Sequence, residues 1–226
     1  MPQPTPLRVL GAEILAFLLA ASCAGCDLPE TLLCPRCRDA LEPRPVDVRT
    51  PGGLAVRAAL TFDAVAARCI RRLKDDGETM LARPLGESLS AVLRDGGSGG
   101  SSALLVPVPT SRASFRRRGY RVPELLLRNA GATPARLLSI GGAGADQRGL
   151  GVDERARNIR GRMRSARPGR GQEVVLVDDI ATSGATLDEA ARALDAAGYR
   201  VLAATTLAAT PRHSERTVNT SETRSK

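Results

Sequence analysis

VVLVDDIATSGAT, at residues 174–186, is the most informative stretch of this chain of 226 residues. It opens with four aliphatic residues, a run typical of strands that are buried on both faces of a parallel sheet. Asp178 and Asp179 come next, and we expect them at the carboxyl edge of that sheet, where open α/β folds bind their ligands. The stretch therefore predicts an α/β fold built on a parallel sheet, with a site at the end of this strand.

The loop that follows the two acids is suited to a phosphate group. It has no bulky side chain, so its backbone N–H groups and three hydroxyls can converge on an anion at a helix N-terminus. It lacks the lysine of a nucleotide P-loop and the glycine pattern of a dinucleotide site. We predict a cradle for a single phosphate, and an ordinary turn is the alternative. Its residues are Ala181, Thr182, Ser183, Gly184, Ala185 and Thr186.

The surrounding sequence extends this stretch into a β-loop-α-β unit. LDEAARALDAAG predicts a helix that ends at Gly198, and YRVLAATTLA predicts the next strand. Further upstream, ALLVPVP predicts a strand that ends at Pro107. Apolar residues at three- and four-residue steps predict two amphipathic helices that are separated near Asp76 and Gly77. They are Ala66, Ile70 and Leu73 in the first helix, and Leu81, Leu85, Leu89 and Val92 in the second.

Near the N-terminus, two Cys-x-x-Cys pairs predict a metal site. Each pair can bend around one ion, and together they supply the four thiolates of a tetrahedral zinc site. Two disulfides or a redox-active pair are the alternatives. The four predicted ligands are Cys23, Cys26, Cys34 and Cys37. The fifth cysteine, Cys69, is interpreted as a small buried apolar residue.

The segments around the cysteines are read as a helix and a linker. The apolar run at 14–21 is far shorter than the roughly 20 residues of a membrane span. The spacing of apolar residues from Leu7 to Leu18 predicts an amphipathic helix that packs onto the rest of the chain, and a cleaved signal peptide is the alternative. Residues 42–53, EPRPVDVRTPGG, are rich in proline and charge and are interpreted as a linker.

Composition excludes several classes of function. The single histidine, His213, lies in a polar stretch, which argues against Ser-His-Asp and Cys-His catalysis. Aromatic residues make up 2% of the chain, too few for the stacking platforms of single-strand binders. The net charge of +9 comes almost wholly from arginine and indicates an anionic partner.

The motifs together resemble a known family. VVLVDDIATSGAT resembles the phosphoribosyl pyrophosphate (PRPP) signature of type I phosphoribosyltransferases. In combination with the four cysteines, the chain is similar to the ComF family of competence-associated, phosphoribosyltransferase-like proteins. The other segments that carry this resemblance are IRRLKDDG at 70–77, LVPVPTSRASFRRRGYRVPELL at 105–126 and QRGLGVDERARN at 147–158.

The resemblance implies a type I phosphoribosyltransferase fold, with a mostly parallel sheet flanked by helices and a small N-terminal zinc-binding module. Residues 1–48 would form the N-terminal helix and the zinc-binding module, 49–210 the phosphoribosyltransferase-like domain, and 211–226 a disordered tail. Asp178 and Asp179 would accept hydrogen bonds from the ribose hydroxyls, while residues 181–186 would hold the 5-phosphate. Arg112 would contact the diphosphate, whose oxygens Mg²⁺ would bridge.

A glycine- and arginine-rich stretch at 146–172 corresponds to the mobile catalytic hood of these enzymes. The resemblance implies catalytic roles for Arg155, Arg157 and Asn158, against the leaving pyrophosphate. An exposed basic loop is the alternative. Thr182 stands where 6-oxopurine transferases have an acid, which disfavours purine salvage and leaves the acceptor unidentified.

The resemblance thus implies a cytoplasmic protein that binds Mg-PRPP and transfers the phosphoribosyl group, with a link to competence and DNA uptake. The expected partners are PRPP and the acceptor, with DNA, competence proteins and a second copy of the chain as further candidates. The alternative function is that of a non-enzymatic adaptor, which senses PRPP and binds nucleic acid or the uptake machinery.

Overall fold

The structure is a computed structural model that describes residues 22–94, 103–141 and 160–210. Several predictions fall outside these ranges. They are the N-terminal amphipathic helix, the tail at 211–226, and the three hood residues Arg155, Arg157 and Asn158. Within the described ranges, no helix combines the length and the apolar character needed to cross a bilayer.

Seven strands form two sheets in the described residues. They are β1 (Val46–Arg49), β2 (Ala55–Thr61), β3 (Leu104–Pro107), β4 (Leu138–Ile140), β5 (Met163–Ser165), β6 (Glu173–Ala181) and β7 (Arg200–Ala209). The main sheet has the order β1-β2-β7-β6-β3, and β4 pairs with β5. In the main sheet only the β1–β2 pair is antiparallel. The sheet is therefore mostly parallel, as expected.

Helices cover both faces of this sheet. They are α1 (Pro35–Asp39), α2 (Ala64–Arg71), α3 (Ala82–Arg94), α4 (Arg112–Arg118), α5 (Val122–Asn129) and α6 (Ala185–Asp195). Leu89 of α3 and Leu126 of α5 pack in one apolar cluster with Val177 of the sheet. Leu194 of α6 packs in a second cluster with Leu176. Successive strand residues point to opposite faces, so β6 contributes to both cores.

The two predicted amphipathic helices are confirmed. A π-helical turn, Arg72–Asp76, continues α2 and ends at Gly77, whose left-handed backbone (φ 75°) stops the helix. A 3₁₀ turn, Thr79–Leu81, then leads into α3. Each apolar residue that defined the periodicity is buried. Leu73, Leu85 and Leu89, for example, have no exposed surface.

The central strand is longer than its apolar run. β6 continues through both acids to Ala181, because β7 beside it runs on to Ala209 and keeps the parallel ladder paired. Asp178 faces Thr206 across this ladder. Both acids therefore lie within strand β6, and the small-residue loop begins only after Ala181.

The segment interpreted as a linker contains an edge strand instead. Val46 and Val48 alternate with Asp47 and Arg49 in β1, which pairs antiparallel with β2. The two valines are half-buried and the charged residues are exposed, an alternation that suits a sheet edge. The charged side chains and flanking prolines concealed this short strand, since both are tolerated at edges.

The four cysteines do not stand apart from the main core. Cys23, Cys34 and Cys37 are buried in the same apolar cluster as Ile70 and Leu85. Cys69 belongs to it as well, and burial raises the pKa of its thiol to about 12. The cysteine module thus shares its core with the sheet-covering helices α2 and α3.

Glu189 of α6 ties this helix to the small β4–β5 sheet. Its carboxylate accepts from Met163 N at 2.9 Å, and it pairs with Arg192 at 2.7 Å. Arg192 in turn donates to the Met163 carbonyl at 3.2 Å. The guanidinium hydrogen bond is the main reason that the pKa of Glu189 falls to about 2, although burial opposes the shift. Glu189 therefore anchors Met163, which lies within the arginine-rich stretch at 146–172.

Replacing Glu189 with glutamine is expected to lower the free energy of unfolding by about 2 kcal/mol at pH 7, since a buried charged hydrogen bond is lost. The folded-state pKa lies below the ordinary value of 4.5. The contribution is therefore complete above about pH 5 and disappears as the pH falls towards 2. Denaturant unfolding of both proteins from pH 7 to pH 3 measures this. A difference in unfolding free energy between the two proteins that stays constant over that range would contradict the lowered pKa of Glu189.

Candidate functional site

The small-residue loop lies between β6 and α6, at the carboxyl edge of the sheet. Gly184 is the N-cap residue of α6, with a left-handed backbone (φ 77°) and no side chain to cap the helix. Ser183 Oγ accepts from Ala185 N at 3.4 Å. The N–H groups of the first turn of this helix point towards the loop, which is the geometry of an anion site.

The turn between β1 and β2 packs directly against this loop. A Cβ atom on Gly184 would lie 2.9 Å from Thr50 Cβ and 3.1 Å from Pro51 Cδ. Gly52 N donates to Asp188 Oδ2 of α6 at 2.9 Å. The β1–β2 turn therefore braces both the loop and the first turn of the helix. This contact was not anticipated, although the TPGG sequence at 50–53 is a turn signal.

Replacing Gly184 with alanine is expected to destabilise the domain by about 2–3 kcal/mol, through backbone strain and overpacking against Thr50. It should also weaken the phosphate binding predicted for this loop, because the loop must move to relieve the clash. Gly53→Ala is the matched control, since Gly53 has a similar φ of 87° but nothing within 4 Å of its added Cβ. Denaturant unfolding and calorimetric PRPP titration compare them. Equal losses of stability and of PRPP affinity in the two variants would contradict the close contact between Gly184 and Thr50.

Asp178 and Asp179 lie side by side immediately before this loop. Asp178 Oδ1 accepts from Asp179 N at 2.8 Å, so the first carboxylate is held against the strand. Burial, and then the neighbouring Asp179 charge, raise the pKa of Asp178 to about 8, while Lys74 acts in the opposite direction. The two acids thus form a closely coupled pair of acceptors beside the anion site.

Lys74 joins the pair, and sequence reasoning did not single it out. Its Nζ lies 2.8 Å from Asp179 Oδ1, and the two side chains are 22% and 13% exposed. The lysine comes from the π-helical turn Arg72–Asp76. One signal was present in the sequence: Lys74 and Lys226 are the only lysines among 33 basic residues.

The structure brings the predicted pyrophosphate loop to the same edge. β3 pairs in parallel with β6, and Val108 N donates to the Val177 carbonyl, just before the acid pair. The chain then enters α4, whose first residue is Arg112. Arg112 is exposed, at the beginning of this short helix. The remaining predicted contacts, Arg155, Arg157 and Asn158, lie outside the described residues.

The four cysteines converge as predicted. Their Sγ atoms all lie within 4.8 Å of one another, and those of Cys26 and Cys34 are 3.7 Å apart. Tetrahedral zinc with Zn–S bonds of about 2.3 Å needs sulfurs roughly 3.8 Å apart, so this spacing fits. None of the described cysteines forms a disulfide. A Cβ on Gly25 would lie 2.6 Å from Cys37 Sγ, so this turn requires glycine.

Backbone N–H groups favour the thiolate form at Cys23. Burial raises the pKa of this thiol, but N–H groups of Cys34, Gly25 and Cys26 outweigh it and bring the pKa to about 6. One of them, Cys34 N, lies 3.3 Å from the Cys23 sulfur. Such N–H···S bonds are outer contacts that orient and stabilise metal-binding thiolates.

A family model described as "Phosphoribosyl transferase domain" matches residues 143–225. None of the curated proteins compared with the chain matches it. Solved structures of similar shape include adenine phosphoribosyltransferase from Saccharomyces cerevisiae, at 13% identity and a TM-score of 0.40, covering 78% of this chain and 89% of that one. Orotate phosphoribosyltransferase from Aeropyrum pernix is 19% identical, with a TM-score of 0.32 and coverages of 77% and 78%.

The family match covers β6, the loop, α6 and β7, which are the elements that build the site. Together with the mostly parallel sheet and its helices on both faces, it confirms the predicted fold class. The chain has the type I phosphoribosyltransferase fold, its residues 143–225 match the model of a phosphoribosyl transferase domain, and four cysteines cluster towards its N-terminus.

Proposed function

We propose that this protein binds Mg-PRPP and transfers its phosphoribosyl group to an acceptor. The observation that carries this proposal is the continuity of the site: the acid pair, the small-residue loop and the N-terminus of α6 follow one another within residues 178–186. Carboxylates accept from ribose hydroxyls, and helix N–H groups suit a phosphate. One short segment therefore offers complementary groups for both parts of a ribose 5-phosphate.

In this proposal the chain acts mainly by holding PRPP in one orientation. Asp178 and Asp179 accept the two ribose hydroxyls, and Thr182–Thr186 of the loop fix the 5-phosphate at the other end of the sugar. Arg112 approaches the diphosphate from the loop after β3. The C1–oxygen bond to pyrophosphate breaks, a bond from C1 to the acceptor forms, and the acceptor loses a proton. Mg²⁺ would supply charge neutralisation on the departing diphosphate.

Arg155, Arg157 and Asn158 are proposed to complete the site when PRPP is bound. Cations placed against the leaving pyrophosphate lower the barrier as charge develops on it. Exclusion of water would at the same time suppress hydrolysis. Glu189 supports this role, because it holds the chain at Met163, five residues after Asn158 in the sequence.

Phosphorus NMR of the protein with PRPP and Mg²⁺ tests the proposal. We expect pyrophosphate to appear only after a mixture of bases, amines and ammonia is added, and the mixture can then be divided to identify the acceptor. Line broadening of PRPP without turnover would favour the adaptor function. Unchanged PRPP signals in the presence of the protein would contradict PRPP binding altogether.

The cysteine cluster is proposed to hold a structural zinc ion. Four thiolates close a tetrahedral site and leave no position for substrate, which is the arrangement of structural and not catalytic zinc. The fit is supported by the 3.7 Å separation of two sulfurs and by the N–H donor to Cys23. Zinc would here stabilise a module that contributes directly to the main core.

The biological role proposed for the protein rests on the motif resemblance. We propose a cytoplasmic ComF-like protein that takes part in competence and uptake of DNA, and that assembles with copies of itself or with competence proteins.

The exposed Arg116 and Arg117 of α4 favour a second candidate function, an adaptor that binds nucleic acid. DNA binding that falls steeply with salt would support the adaptor, because phosphate contacts release counterions. Negligible binding at low salt would contradict it.

A further inference from the structure

The turn Arg72–Asp76, here called the lysine turn, connects three parts of the molecule. Its Lys74 reaches the acid pair, at 2.8 Å from Asp179. Single π-turns inside helices occur frequently at functional sites, because they redirect one side chain out of the regular helical pattern. The proposed transferase function assigns no role to this lysine, although it lies against a ribose-binding carboxylate.

The RRRGY segment, residues 116–120, holds the lysine turn from one side. The Tyr120 hydroxyl donates to the Leu73 carbonyl. Arg118 lies 3.5 Å and Arg117 3.6 Å from the Asp75 carboxylate. Two stretches that are more than forty residues apart are therefore joined at the turn that presents the lysine.

The cysteine module holds the lysine turn from the other side. Arg72 pairs with Asp27 at 2.5 Å, next to the first Cys-x-x-Cys turn, and with Glu78 at 3.0 Å. Arg72 also donates to the Ser22 carbonyl at 3.3 Å. Leu73 has no exposed surface and packs in the core that contains Cys23 and Cys37. The backbone around Lys74 is thus fixed on both sides.

We propose that Lys74 is a positioning residue for PRPP, which keeps the Asp179 carboxylate in place as a charged acceptor for a ribose hydroxyl. The RRRGY segment and the cysteine module serve this role by fixing the lysine turn. The inference rests on the proposed PRPP site. Without the ammonium group, Asp179 would lose both the hydrogen bond that fixes its side chain and the opposite charge that favours its ionised form beside Asp178.

Titration of PRPP with Mg²⁺ by calorimetry tests Lys74→Met and Lys74→Arg in the full chain. We expect Lys74→Met to weaken binding at pH 7 by at least about tenfold, the effect of losing a charged hydrogen bond, and Lys74→Arg to retain most of the affinity. Arg57→Met is the matched control. It removes a partly exposed ion pair with Asp47, between the edge strand β1 and its neighbour β2, and should leave PRPP affinity unchanged.

The pH dependence separates this role from a merely structural one. The charges that act on Asp178 among the described residues are Asp179 and Lys74, and β7 presents the uncharged Thr206 opposite it. Since Lys74 lowers the pKa of Asp178, its removal should shift the affinity profile upwards in pH. The difference in PRPP affinity between Lys74→Met and the wild-type protein should therefore narrow between pH 7 and pH 9, as Asp178 ionises in both proteins. A uniform loss across this range would overturn the positioning role.

Tyr120→Phe provides a second, conservative variant in case Lys74→Met does not fold. It removes the hydroxyl that fixes the lysine turn, and we expect about threefold weaker PRPP binding, the effect of one neutral hydrogen bond. The inference would be overturned if Lys74→Met and Tyr120→Phe both bind PRPP with wild-type affinity and Asp179→Asn does not bind it. If the wild-type protein itself does not bind PRPP, the proposed function fails first, and the two failures are thereby distinguished.

Discussion

Replacing Cys34 with serine is expected to release zinc and to unfold much more than the cysteine module. Zinc binding contributes about 10–16 kcal/mol to the folding of small four-ligand sites. This is comparable to the total stability of an ordinary domain, which is about 5–15 kcal/mol. Because Cys23, Cys34 and Cys37 share one apolar cluster with Ile70 and Leu85, the loss should reach helices α2 and α3.

Metal analysis and thermal unfolding measure this effect together. The wild-type protein should contain about one zinc per chain, and a strong chelator should lower its Tm. Cys69→Ala is the matched control, since Cys69 is equally buried but lies outside the four-sulfur cluster. It should keep the metal and lose only the small free energy of a shortened core side chain. A folded wild-type protein without metal, or a Cys34→Ser variant that retains zinc, would contradict the zinc proposal.

The double replacement of Asp178 and Asp179 by asparagine should abolish PRPP affinity and leave the fold intact. Each carboxylate–hydroxyl hydrogen bond contributes about 1.5–3 kcal/mol, so the loss should be at least about a hundredfold. Asparagine has the same shape, but it carries no charge and presents an N–H₂ group in place of one acceptor oxygen. Asp195→Asn is the control, because Asp195 lies at the opposite end of α6. Calorimetric titration and circular dichroism provide the two measurements.

The same variant should alter the pH dependence of stability. Asp178 has a folded-state pKa of about 8, above the ordinary value of 3.8. The folded protein therefore holds more protons than the unfolded chain between these values, and this acid lowers stability as the pH rises through that window. The double variant should lose this slope. Wild-type and variant stabilities that run parallel from pH 5 to pH 9 would contradict the raised pKa of Asp178.

Local patterns in the sequence were sufficient for most elements. The aliphatic run before Asp178 predicted β6 and the small-residue loop predicted the start of α6, whereas the helix ends at Asp195, before the predicted Gly198. Cysteine spacing predicted a convergence that the structure confirms, because each Cys-x-x-Cys pair is a single local turn. The residue-level PRPP contacts stay predictions, and those at Arg155, Arg157 and Asn158 lie outside the described residues.

The sequence by itself therefore determined what depends on neighbours in the chain: the α/β class, the periodicity of the helices, the turn residues and the metal-ligand spacing. Only the tertiary structure decided which distant residues meet. Lys74 and Asp179 are 105 residues apart, and Gly52 and Asp188 are 136 apart, yet each pair is in hydrogen-bond contact. Such contacts depend on the order of strands in the sheet and on packing of both faces, which no local propensity encodes.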